Sequence, residues 1–98
     1  MPISIEEYKA AMKSYSEKFP DEVKPFLELI EKLSKEQLEE MEQVELKALN
    51  GDEDAFKTVR KSYEKYNIHI TKEMEEHMIE CFDAKHRELL RNFLSRFE

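Results

Sequence analysis

The residues best suited to chemistry in this chain lie close together near its C-terminal end. The stretch EHMIECFDAKH, residues 76–86, holds two of the three histidines, His77 and His86, and the only cysteine, Cys81. Imidazole nitrogens, thiolates and carboxylates are the common protein ligands of zinc. The stretch therefore raises the question of a metal or catalytic site on a single helix.

Helical geometry separates these residues onto two faces. The spacing predicts one helix from Thr71 to about Arg96, in which successive residues turn by about 100°. His86 then lies on the apolar face with Phe82, whereas His77 lies on the opposite side. Because the two histidines point apart, they cannot bind one metal ion together. We predict that His86 is a core histidine bonded to a backbone carbonyl or a tyrosine, and that His77 is a solvated surface residue.

A metal site is still conceivable around His77. Cys81 lies four residues later on the same face, and Glu73 or Glu80 would supply a third ligand. A tetrahedral zinc site would need further ligands, and histidine and cysteine are scarce in the rest of the chain. We therefore predict no metal and no cofactor, keep a metal-binding bundle as an alternative, and interpret Cys81 as a small half-buried apolar residue.

Other catalytic arrangements are not indicated. The single glycine excludes a glycine-rich phosphate loop. The serines fall at predicted helix caps, on the surface or within helices, without a recognisable Ser/His/Asp arrangement. Carboxylates are abundant, but on exposed helix faces their pKa values are not tuned for proton transfer. We predict that the protein is not an enzyme and has no catalytic residues.

The elements that must position these residues are helices. The chain is 40% hydrophobic and 40% charged, with one glycine and three prolines, and so few loop-forming residues imply short loops. Capping boxes at Ser4 and Ser34 predict two helix starts. Asp52 and Thr71 are predicted caps of two more helices, and Gly51 is a predicted left-handed helix end.

We predict a single all-α domain over residues 1–98, a compact bundle of four to five helices with a long C-terminal helix. Pro25 is tolerable only near the first turn of a helix, so the second helix is expected to begin between Asp21 and Lys24. The short connection at 50–52 predicts that the third and fourth helices form an antiparallel hairpin.

Charge and hydropathy bound the location and the partners. The net charge is −7, and residues 21–54 carry twelve acidic and four basic side chains. This distribution argues against direct nucleic-acid binding, which needs a clustered basic surface. No apolar run approaches the roughly 18 residues of a membrane span, and one cysteine cannot form an internal disulfide. We expect a cytoplasmic protein without a membrane span.

The predicted C-terminal helix also indicates an interaction surface. At about 37 Å it would extend beyond its shorter neighbours, and its last turns are its most apolar. Large apolar surfaces are usually covered, here by the first helix, by a second copy in a homodimer, or by another protein. An acidic face on the third helix could bind a basic protein by imitating nucleic acid. The predicted interaction residues are Leu89, Leu90, Phe93, Leu94, Phe97, Glu39, Glu42 and Glu45.

The leading hypothesis is a small acidic, non-enzymatic protein that acts through protein–protein interaction as an adaptor, regulator or inhibitor. Small acidic helical proteins of phages and mobile elements have this character. The alternative is a carrier of a small apolar ligand such as a fatty acid, because five methionines and ten aromatic residues could line an adaptable cavity. The stretches FPDEVKPF (19–26) and LSKEQ (33–37) resemble helical lipid-carrier proteins of nematodes, and no functional residue is assigned from this resemblance.

Overall fold

Six α-helices make up the part of the chain that the computed structural model describes, residues 2–97, and no strand occurs within it. The first four helices are α1 (Ile5–Lys18), α2 (Pro20–Glu31), α3 (Lys35–Leu49) and α4 (Glu53–Lys65). They are followed by α5 (Lys72–Glu80), a short 3-10 turn (Ala84–His86) and α6 (Arg87–Ser95). The prediction of an all-α bundle is confirmed.

The helix starts are set by local hydrogen bonds. The Ser4 hydroxyl accepts a bond from the N–H of Glu7, and the Glu7 carboxylate accepts one from the N–H of Ser4. Ser34 forms the same reciprocal box at the start of α3, and the side chains of Asp52 and Thr71 cap α4 and α5. Each cap stabilises its helix by about 1 kcal/mol. All four predicted starts are confirmed.

Two helices end in left-handed backbone, and the sequence predicted this conformation for Gly51 alone. Gly51 follows α3 with a φ of 101°, and Asn67 follows α4 with a φ of 55°. Glycine and asparagine are the residues that adopt this conformation most readily. The resulting short connection brings α4 back along α3, and these two helices share the most extensive contact between helices of the bundle.

The start of α2 differs slightly from the prediction. The helix begins at Pro20, which occupies the first helical position where a missing N–H costs nothing. Pro25 therefore lies inside α2 rather than in its first turn, and the carbonyl of Asp21 loses its usual helical partner. Phe19 alone joins α1 to α2, with φ −131° and ψ 61°, and this sharp corner folds α2 back against α1.

The prediction of one long C-terminal helix is wrong. The chain leaves helical geometry after Glu80, and Asp83 is extended, with φ −61° and ψ 148°. A continuous helix of about 37 Å would exceed the 33 Å largest extent of the described chain. Because of the break, the apolar faces of α5 and α6 both pack into the core of the bundle. Cysteine, phenylalanine and aspartate at 81–83 are all weaker helix formers, which permits the break.

The apolar C-terminal turns are covered by the chain itself. Leu90 and Leu94 are each 2% exposed and Phe93 is buried, because α6 packs on α3 and α5. The half-buried ring of Phe97 lies 5.2 Å from that of Phe56. Leu89 is also half-buried. The cover comes from within the chain, from α3 and α5, where the first helix was one of the three expected alternatives. An interaction role for these five residues stays a prediction.

The bundle has the dimensions of a well-packed domain. Its radius of gyration is 12.5 Å, against about 12.6 Å expected for a compact chain of this length. No helix of the described part therefore projects from the bundle. Nor is any described helix both long enough and apolar enough to cross a membrane.

Candidate functional site

A cavity of about 240 Å³ lies between the helices, and all six of them contribute to its walls. The lining is mainly apolar. Its inner wall is built from buried side chains that are distant in sequence, including Tyr8, Val23, Leu49, Phe82, Leu90 and Leu94. The cavity is thus formed by the packing of the whole bundle, and no single segment of the chain forms it alone.

The cavity reaches the surface between α1, α2 and α3. The more accessible lining residues come mostly from these helices, among them Met12, Leu27 and Met41. Leu27 is 46% exposed, the highest value for a large apolar side chain in the described part of the chain. The exposed leucine shows that the apolar cavity is open to solvent on this side, which we call its entrance.

Two carboxylates, Glu42 and Glu45, stand among these apolar side chains, and Glu45 is the one with hydrogen bonds from other helices. Glu45 lies four residues after Met41 and four before Leu49, so the three share the cavity-lining face of α3. Tyr8 of α1 donates a hydrogen bond to Oε2 of Glu45. Tyr63 of α4 donates one to Oε1 over 2.9 Å. Side chains from three helices therefore converge on a single polar point in the cavity wall.

The electrostatics of this point follow from its surroundings. Burial raises the pKa of Glu45, with a further rise from the nearby Glu42 carboxylate, while the hydrogen bonds from Tyr8 and Tyr63 oppose the rise. Burial also raises the pKa of both tyrosines, which keeps their hydroxyls protonated as donors. Glu45 takes part in none of the ion pairs formed within residues 2–97. The cavity therefore presents an acceptor without a protein cation.

A second, more open groove lies between α3 and α4, with a volume of about 300 Å³. It shares Glu45 and Tyr63 with the first cavity, but its walls include the exposed polar side chains of Gln37, Glu40 and Lys65. Water competes for such surfaces, so the groove offers less apolar area to a ligand. The first cavity is the better candidate site.

The histidine predicted to be solvated is instead held in a cluster. His77 is only 23% exposed, its ring stacks on that of Phe19 at 3.9 Å, and its Nδ1 lies 2.6 Å from Oε2 of Glu22. Tyr15 donates a hydrogen bond to the other oxygen of Glu22 over 2.9 Å. The prediction of a solvated His77 is wrong because the α1–α2 corner covers it. These contacts tie α5 to that corner.

Glu22 and His77, with Glu73, also offer three potential metal ligands whose atoms lie within 4.8 Å of one another. The alternative metal site weighed for His77 paired it with Cys81, which is not in this group; Cys81 is half-buried at the C-terminal cap of α5. Glu80 is exposed and is also outside the group. The direct hydrogen bond between His77 and Glu22 accounts for their proximity, so the cluster by itself assigns no metal.

His86 lies in the core, as predicted, with 1% exposure. Its partner differs from the prediction: Nε2 lies 2.8 Å from Oε2 of Glu7, where a backbone carbonyl or a tyrosine was expected. A carboxylate only accepts hydrogen bonds, so Nε2 carries the hydrogen. The bond from His86 is the main cause that lowers the pKa of Glu7 to about 2. Glu7 thus both caps α1 and holds the turn before α6.

The three acidic residues expected on one face of α3 occupy three environments. Glu39 is exposed, Glu42 is half-buried beside the cavity, and Glu45 bonds to the two tyrosines. Each step of three residues rotates the side-chain direction around the helix by about 60°. The three carboxylates therefore point in successive directions, from solvent to the cavity wall. The signal that could have identified Glu45 is its position between Met41 and Leu49. An interaction role for Glu39 and Glu42 stays a prediction.

No protein-family model, curated protein or solved structure matches this chain.

Proposed function

We propose that this protein is a non-enzymatic binding protein that holds a small, mainly apolar molecule between its helices. The observation that carries the proposal is the cavity of about 240 Å³ with apolar walls and one convergent polar point at Glu45. Small-molecule sites typically combine apolar walls with a few placed polar groups. Protein interiors are otherwise packed with few voids larger than a water molecule, so this volume calls for an occupant.

The volume limits the size of the occupant. An apolar cavity of about 150 Å³ accepts benzene, so by proportion the space here accommodates about ten non-hydrogen atoms. A long-chain fatty acid is larger, and its carboxylate would meet the Glu45 carboxylate. The proposal therefore keeps the apolar-ligand alternative of the sequence but replaces the fatty acid with a shorter molecule. It is preferred to an adaptor role because the apolar helix end on which that role depended is buried.

Three methionines make the proposal directly testable. Met12, Met41 and Met78 line the cavity, whereas Met74 is buried elsewhere in the core. Isotope-labelled methionine methyl groups report these positions separately in a nuclear magnetic resonance titration. With phenylbutanol, a neutral probe of suitable size, we expect the signals of the three lining methionines to shift in a saturable manner while Met74 shifts little. Unchanged spectra, or equal shifts at all four positions, would contradict binding in the cavity.

A further inference from the structure

We infer that the ligand of this cavity is a small organic amine, with an apolar body of about ten atoms and an ammonium group that pairs with Glu45. The inference rests on the proposed function of the cavity and adds the chemical class of the ligand. Three observations carry it: the position of Glu45 in the cavity wall, the aromatic residues of the lining, and the negative charge of that lining.

The first observation concerns the hydrogen bonds of Glu45. Tyr8 donates to one carboxylate oxygen and Tyr63 to the other. A carboxylate has about four acceptor positions, so capacity remains on each oxygen. A carboxylate in apolar surroundings without a cation is costly, and no ion pair among the described residues supplies one to Glu45. A ligand ammonium supplies both the missing charge and additional donors.

The second observation is the aromatic lining. Ammonium groups are attracted to the faces of aromatic rings within about 6 Å. Rings contribute to the cavity wall from α1, α2, α4 and α6, and from the turn after α5; they belong to Tyr8, Tyr15, Phe26, Tyr63, Phe82 and Phe93. Such walls bind the apolar body of the ligand through its surface area and also tolerate a cation. An anionic headgroup gains nothing from them.

The third observation is the charge of the cavity lining. Glu42 is half-buried in the lining on α3, one turn before Glu45. These two carboxylates are the charged side chains of the lining, to which no lysine or arginine of the described residues contributes. Negative charge in a low-dielectric cavity concentrates cations and repels carboxylates. Glu42 therefore favours the same class of ligand as Glu45.

The test compares three probes of similar size and different charge on the full chain. Phenylbutylamine is cationic at neutral pH, phenylbutanol is neutral, and phenylpropanoate is anionic. Affinities are measured from the methyl shifts of Met12, Met41 and Met78. We expect the amine to bind about tenfold or more tightly than the alcohol, as for a hydrogen bond between charged groups, and the anion to bind most weakly.

Substitutions on α3 separate pairing with Glu45 from the general negative field. Glu45→Gln keeps the size of the side chain and removes the charge, so we expect the preference for the amine over the alcohol to disappear while the alcohol still binds. Glu39→Gln removes the same charge from an exposed position of α3 that does not line the cavity. We expect this control to keep the preference for the amine. Circular dichroism checks that both variants are folded.

The outcomes distinguish this inference from the proposed function. If none of the three probes shifts the lining methionines, the cavity does not bind ligands and both ideas fail. If the alcohol or the anion binds as tightly as the amine, the cavity function stands and the amine inference is overturned. The inference is also overturned if Glu39→Gln reduces the preference as much as Glu45→Gln does, because the effect would then come from net charge alone.

Discussion

At the scale of single residues, Glu45 departs most from the environment that its type prefers. Glutamates are mostly exposed, yet this carboxylate bonds to Tyr8 and Tyr63 in the wall of an apolar cavity. Burial raises its pKa more than the two hydroxyls lower it. The folded protein therefore holds the Glu45 proton more tightly than the unfolded chain, which makes this residue a source of pH dependence.

We predict that, without ligand, the stability of Glu45→Gln relative to the natural protein is higher at neutral pH than at acidic pH. Because the pKa of Glu45 is raised in the folded state from its ordinary 4.5, its contribution to stability is complete below that value. The contribution is lost as the pH rises toward the raised pKa. Glutamine does not titrate, so the difference in unfolding free energy between variant and natural protein should grow from about pH 4 to about pH 7. Urea denaturation at the two pH values measures it, and a pH-independent difference would contradict the prediction.

The buried polar residues were only partly predictable. His86 was assigned to the core and lies there, although the helical spacing from Phe82 behind that assignment does not hold across the break at 81–83. The partners of Glu45 could not be predicted, since Tyr8 and Tyr63 lie 37 and 18 residues away along the chain. Their convergence depends on how three helices pack. A carboxylate at a core position of α3 was the only sign in the sequence.

At the scale of secondary structure elements, the helix starts were predictable and one helix break was not. Starts at Ser4, Ser34, Asp52 and Thr71 depend on hydrogen bonds within three residues. The break at 81–83 contains neither glycine nor proline. It forms because the two halves bury more apolar surface when α6 turns back onto the core, and this gain is visible only in the tertiary structure.

The hydrogen bond between Glu7 and His86 joins two elements, the start of α1 and the turn before α6. It is the largest of the causes that lower the pKa of Glu7 from 4.5 to about 2, and the bond from the Ser4 N–H is the next. The stability from this depressed pKa is present above 4.5 and is lost as the pH falls from 4.5 toward about 2. We predict that Glu7→Gln loses less stability than the natural protein as the pH falls from 4.5 toward about 2. Acid unfolding followed by circular dichroism measures the difference.

The neighbouring exposed residue Glu6 provides the control, since it makes no such contact with the turn before α6. Glu6→Gln should leave the acid transition close to that of the natural protein. If both variants shift the transition equally, the effect comes from net charge and the proposed link between α1 and the α5–α6 turn is not responsible.

At the scale of the whole molecule, the helical class followed from composition and periodicity, whereas the cavity did not. Abundant charge, one glycine and apolar residues at helical spacing are sufficient to predict an all-α bundle. The cavity lies where side chains of all six helices meet without filling the space between them. Such space depends on crossing angles and side-chain volumes, which periodicity does not specify.

The central claim, that the cavity is a binding site, predicts that filling it prevents binding. Val23 is buried in the cavity wall, and Val23→Phe would place a ring in the space of the ligand. Val44 is half-buried in the groove between α3 and α4, outside the cavity, so Val44→Phe is the matched control. Overpacking costs about 1–3 kcal/mol, so thermal unfolding must show that both variants fold. Met12→Trp at the cavity entrance provides a second blocking variant if Val23→Phe does not fold.

The most direct measurement is therefore the affinity of these variants for phenylbutanol, determined by calorimetry. Val23→Phe, or Met12→Trp in its place, should lose at least about tenfold in affinity, because its new ring occupies volume that the ligand needs. Val44→Phe should bind like the natural protein. Equal affinity of the blocking variant and Val44→Phe would show that the probe binds elsewhere and would contradict the account.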